Sequence, residues 1–160
     1  MEIKKKYIDD STALKKMQNF CAYQERSHSE VEAKLIDLGV YGDRIGQIVA
    51  ELIQDNFLNE ERFAKAYARG KNNIKKWGRI RIKQELKFKK VSDYCIRKAM
   101  EEIEEDEYWR NLLEVLTKKQ QLLSEDDSFK KNQKLFQFAL QKGYESELIQ
   151  KALKEINDNQ

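Results

Sequence analysis

An apolar pattern at helical spacing occurs three times in this chain of 160 residues, and it constrains the fold more than any other feature. Ile45, Ile48, Val49 and Leu52 fall at i, i+3, i+4 and i+7, which is one face of a helix. A shift of 51 residues places them on Ile96, Ala99, Met100 and Ile103, and a further 53 on Ile149, Ala152, Leu153 and Ile156. The turn ahead of each stripe moves with it. Leu38-Gly39-Val40 meets Lys89-Lys90-Val91 and then Lys142-Gly143-Tyr144. A period near 50 that carries both stripes and turns predicts tandem three-helix units.

The remaining pattern is helical as well. Leu14, Met17 and Cys21 form a stripe, and Ser27 opens a capping box with Glu30 ahead of Val31, Leu35 and Leu38. Asn59 is a predicted N-cap, with Glu60 and Glu61 in the first turn, where the helix dipole favours acids. Phe63, Tyr67 and Ile74 share one face of that helix, and Gly78 ends it. Ile82 and Leu86 mark the next helix, and Ser92 and Asp93 open another. Trp109, Leu112, Leu113, Leu116 and Leu123 form one further stripe, and Phe129 to Leu140 form the last before Gly143. The chain has no proline, no sustained strand alternation and no Asn-Gly or Asp-Gly hairpin turn. The reading is an all-α fold: a tandem repeat of three three-helix modules forming an elongated, curved stack. The predicted boundaries are a tail at 1–11 and units at 12–58, 59–105 and 106–157.

Charge singles out the second unit. Between Arg62 and Lys98 stand fourteen Lys and Arg against two acids, Glu85 and Asp93, a net charge of +12. The chain totals +3, so the rest carries −9. Solvated helix faces ordinarily mix both signs as i, i+4 pairs. A one-sign surface instead suits a polyanion or an assembly built around one. Lys65, Arg69 and Lys76 lie opposite the apolar face of the helix from Asn59, and Arg79, Lys83 and Lys87 make an i, i+4, i+8 row on the next. Trp77 stands at the junction among Lys75, Lys76, Arg79 and Arg81, either stacking on a base or plugging the helix packing. With Lys71, these are the candidate binding residues. The acidic run Glu101–Glu107 follows, either solvating a helix end or repelling phosphates so that only one side engages them.

Other functions have little support. Catalytic residues are expected to be none, because there is no phosphate loop, no Gly-x-Ser-x-Gly and no paired carboxylates in an apolar setting. One histidine, His28, and two distant cysteines, Cys21 and Cys95, predict no metal site, no cofactor and buried reduced thiols. No apolar run reaches the ~18 residues of a membrane span, so a cytoplasmic protein with no membrane partner is expected.

The sequence also resembles a known family. Arg62-Phe63-Ala64, Tyr67, Arg69, Trp77-Gly78 and Arg81-Ile82-x-x-Glu85-Leu86 are similar to the central signature of the RecX family, bacterial regulators of the RecA recombinase. Tyr23 to Leu35, with Arg26-Ser27 and Glu30-x-x-x-Lys34-Leu35, resembles that family's first-repeat signature. The likeness covers Leu14 to Ile103 and is weak in the third unit. The family has Asp where this chain has Asn59, and Lys-Gly where it has Lys89-Lys90, which disfavours a left-handed turn there. The resemblance implies a monomer that lodges in the groove of a RecA filament on single-stranded DNA. There it would inhibit strand exchange and ATP turnover, with weak electrostatic contact to the DNA. Two rival readings are a sequence-specific helix-turn-helix-like DNA-binding regulator, with Arg79 and Arg81 reading bases, and a purely protein-binding helical adaptor.

Overall fold

The structure, a computed structural model, describes residues 7–159. Among these are nine helices and no strand: α1 (Asp10–Tyr23), α2 (His28–Leu38), α3 (Asp43–Gln54), α4 (Glu60–Asn73), α5 (Arg79–Phe88), α6 (Asp93–Glu101), α7 (Glu105–Leu122), α8 (Ser128–Lys142) and α9 (Ser146–Asp158). Of the predicted tail, residues 1–6 lie outside the described residues, and α1 is already capped by Asp9. Ser27, Asn59 and Ser92 accept from the backbone N–H of Glu30, Arg62 and Cys95 at 3.1, 2.9 and 3.2 Å, as N-caps do. Only half of the capping box forms, since the Glu30 carboxylate accepts from Lys89 Nζ at 3.1 Å.

The three recurring turns share one geometry. Gly39, Lys90 and Gly143 have φ of 97°, 64° and 101°. The following residue donates its N–H back to Leu35, Leu86 and Ala139 respectively, and Val40, Val91 and Tyr144 are buried there. These are Schellman closures, which satisfy the last carbonyls of a helix. Lys90 therefore takes the left-handed conformation expected only of glycine, because an equivalent turn must close α5 in the second unit. A left-handed L-residue is strained by roughly 1–2 kcal/mol. Lys90→Gly should raise the urea midpoint by about 0.5–1 kcal/mol of stability, after its looser unfolded chain is counted.

The apolar pattern misleads at helix ends. Ile74 is 78% exposed at the C-cap of α4, and Phe129 is 69% exposed in the first turn of α8. Neither continues the core stripe predicted for it, because the helix has turned away or barely begun. Cys21 and Cys95 are buried free thiols, and burial raises the Cys21 pKa.

The units are not equally joined. Met17, Leu35, Val40, Leu52 and their neighbours form a core inside the first unit alone. The second and third units share one continuous core that runs from Phe63 and Leu86 through Tyr108 and Leu112 to Leu135, Tyr144 and Ile149. Glycine explains the difference. At the start of α5, Gly78 N–H donates to Lys142 O at 2.8 Å and Ile80 N–H to Gly143 O at 3.0 Å. A Cβ on Gly78 would lie 2.3 Å from the Gly143 carbonyl, and one on Gly143 would lie 2.4 Å from Arg81 Cβ. Backbone meets backbone only because both lack side chains. The equivalent places between the first two units hold Ser27 and Lys90. There the contacts pass through side chains: Ser29 Oγ donates to Lys89 O at 2.6 Å, and Arg62 Nε to Glu25 at 2.6 Å.

Candidate nucleic-acid interface

The turn between α4 and α5 sets the geometry of the basic segment. Trp77 N–H donates to Lys71 O at 3.0 Å, and its own carbonyl accepts from the buried Asn72 amide at 2.9 Å. Asn72 in turn accepts from Asn111 of α7 at 2.7 Å. Trp77 is partly buried against the shared core, so the plug is its main role. Its ring also carries Arg81 at 4.1 Å and Lys71 at 4.8 Å.

The predicted cations divide into two groups. Arg79 points into the third unit. It donates to Glu145 and to Glu105, each at 2.7 Å, and lies 3.9 Å over the Tyr108 ring, with its side chain only 17% exposed. The Tyr108 hydroxyl donates to Glu145 and accepts from the Arg79 N–H. Burial, then the Glu145 bond, holds this phenol far above its ordinary pKa. Lys76 is pinned likewise, by Glu114 at 3.2 Å and Asn111 at 3.0 Å, with φ of 58°. These contacts correct the expectation that the two residues face outward as part of a docking row. They join units. The same finding counts against a major-groove reader, since the start of α5 is packed on Gly143 and Arg79 is spent on carboxylates.

Lys65 and Arg69 meet Glu102 at 3.9 and 3.2 Å, and Lys65 also meets Glu61 at 3.8 Å. Part of the acidic run thus neutralises its own unit. Arg69 remains half exposed, and pairs of this kind contribute about 0–1 kcal/mol, so a stronger anion could replace Glu102.

Lys71, Lys75, Arg81, Lys83 and Lys87 form no ion pair among the described residues. Lys83 and Lys87 stand exposed one turn apart on α5. Phe88 beside them is 85% exposed and Ile80 is 41% exposed. Lys75 and Arg81 gather beside Lys142, whose Nζ reaches Lys75 O at 3.4 Å. Burial lowers the pKa of Lys142, and Arg81 and Lys75 push it the same way. Like charges crowded across a unit junction, none of them in an ion pair among the described residues, make a place for an anion. Lys142 and Phe88 were not among the predicted site residues. Lys142 holds the repeat position of Lys89, which pairs with Glu30, so the repeat gave no signal for it.

Comparison with known proteins bears on the family and the fold. Residues 59–100 match the family model described as the second three-helix domain of RecX, and residues 105–153 match that of the third. Together they take in more than half of the chain. The chain belongs to the RecX family. The third unit, only weakly alike by its motifs, is matched as fully as the second. Proteins named Regulatory protein RecX from Bacillus cereus (strain B4264) and Bacillus thuringiensis (strain Al Hakam) are each 29% identical over 140 residues, 88% of this chain and 52% of the relative. The chain thus spans about half the length of the curated relatives it matches. The crystal structure of RecX from Lactobacillus salivarius superposes with a TM-score of 0.82 at 26% identity, covering 92% of this chain and 96% of that one. A second crystal structure, of a regulatory protein RecX, has the same TM-score at 19% identity and supports the fold. The relatives are named as regulatory proteins, and no helix of the described residues is long and apolar enough to cross a membrane.

Proposed function

We propose that this protein is a non-catalytic cytoplasmic regulator that binds the RecA filament on single-stranded DNA and restrains its recombinase and ATPase activity. It acts as a monomer. The face that docks is the unpaired part of the basic unit: Lys71, Lys75, Arg81, Lys83 and Lys87, with Lys142 from the third unit and with Arg69 and Lys65 at the margin. Arg79, Lys76 and Trp77 hold that face in place. The observation that carries the reading is a set of exposed and half-buried cations that form no ion pair among the described residues, set beside Trp77, Ile80 and Phe88.

The chemistry follows from charge and ring placement. Lysines on α5 neutralise phosphates at spacings that a flexible backbone can match. Arg81 is held by the Trp77 face, so its guanidinium is ordered before contact and loses little freedom on binding. The exposed Phe88 ring offers a stacking or packing surface beside the lysines.

The test is ATP turnover by RecA on single-stranded DNA with this protein at substoichiometric ratios. Turnover is expected to fall in proportion to bound protein. A duplex footprint, or unchanged turnover at a ratio of one per recombinase subunit, would contradict the reading.

A further inference from the structure

The third unit carries a second binding surface that the basic face does not use. An open trough of about 1000 Å³ runs along α8, lined by Phe129, Phe136 and Phe138 together with Lys119, Lys130 and Lys134. Glutamine and asparagine complete its rim, and no carboxylate lines it. This is a segregated charge. From Glu105 to Asp158 the chain has eleven acids and nine Lys and Arg, yet the trough receives only lysines. Lys134 reaches Glu125 at 3.2 Å, whereas Lys119 and Lys130 form no ion pair among the described residues. A smaller hollow of about 210 Å³ shares Lys119 and Phe138, but it is lined by Glu114 as well and leads to Lys142 of the basic face, so the trough itself ends at Lys119 and Phe138. Phe129 at the trough is 69% exposed, and Leu122 in the adjoining hollow is 80% exposed.

We propose that this trough binds an acidic segment of a partner protein, whose aromatic or aliphatic side chains enter between the phenylalanines while its carboxylates meet Lys119 and Lys130. The inference does not rest on the reading of the basic face. Charge complementarity selects an acidic occupant, and the hollow lined by rings takes side-chain anchors. A single-stranded nucleic acid is the rival occupant. Phe138 already carries Lys119 at 4.7 Å and Lys142 at 5.6 Å, so the side chains of the peptide enter beside Phe129 and Phe136. The glutamine and asparagine side chains suit the backbone of an extended or helical peptide.

The experiment is amide chemical-shift mapping on the full chain, with a short synthetic peptide of glutamates interleaved with phenylalanine and leucine as the probe. A single-stranded oligonucleotide is run in parallel. Peptide shifts should be confined to α7 and α8, and Lys119→Glu with Lys130→Glu should weaken the peptide at least about tenfold. Phe129→Ser, at an exposed site, should weaken it without changing the fold. A Lys83→Glu, Lys87→Glu variant should bind the peptide as wild type does, which separates this inference from that for the basic face. The proposal is overturned if the peptide leaves α8 unmoved, if its shifts lie on α5, or if the oligonucleotide competes for the trough.

Discussion

Gly78→Ala is expected to lower the stability of the protein by about 3 kcal/mol, seen as a fall in the urea midpoint. The backbone at Gly78, φ −79° and ψ 169°, suits alanine, so conformation is not the obstacle. Space is. The added Cβ would sit 2.3 Å from the carbon and oxygen of Gly143 and 2.4 Å from Tyr144 N. Those are backbone atoms, which cannot rotate aside. The two turns must separate, and the separation strains the bonds Gly78 N–H to Lys142 O, Ile80 N–H to Gly143 O and Tyr144 O–H to Lys76 O. Overpacking of this kind costs about 1–3 kcal/mol, and each weakened hydrogen bond adds up to about 1 kcal/mol. Gly70→Ala gives the opposite control. Gly70 lies inside α4 with nothing within 4 Å of its added Cβ, so alanine there should stabilise by up to about 1 kcal/mol. If both substitutions shift the midpoint alike, the close approach of the two turns is not what joins the units.

Lys83→Glu with Lys87→Glu is expected to weaken filament binding roughly 100-fold while leaving the helical signal and the urea midpoint unchanged. Both side chains are exposed, and neither forms an ion pair among the described residues. Reversal removes two of the six cations of the proposed face that form no ion pair among the described residues, and adds two like charges facing phosphate or acidic protein. Arg79→Glu should behave differently. It would set a carboxylate against Glu105 and Glu145 in a half-buried site, so its first effect is on stability. A row that looks uniform at i, i+4 and i+8 thus splits by environment: the first member is spent on carboxylates of the third unit, and the next two are the ones we propose for the contact.

The fold was legible because its signals are local. Caps at Ser27, Asn59 and Ser92 and the shared turns at Val40, Val91 and Tyr144 can each be read within a few residues. The left-handed turn at Lys90 was not, since local preference argues against it and only the closure of α5 requires it. The candidate site was legible in part. Lys75, Arg81, Lys83 and Lys87 form no ion pair among the described residues, in keeping with their one-sign segment. Arg79 and Lys76 do not, because Glu105, Glu145 and Glu114 reach them from the third unit, between 26 and 66 residues away in sequence. Pairing over such separation leaves no periodic trace. Trp77 and Gly78, read as a signature, prove to mark the place where one unit seats on the next.

The salt dependence of binding to RecA filaments, measured for the wild type and the Lys83→Glu, Lys87→Glu variant, tests the docking face most directly. Six cations against single-stranded phosphates give a slope of log K on log salt of about −4, and four give about −3. Equal slopes and equal affinities for the two proteins would mean that the unpaired lysines of α5 touch nothing in the filament.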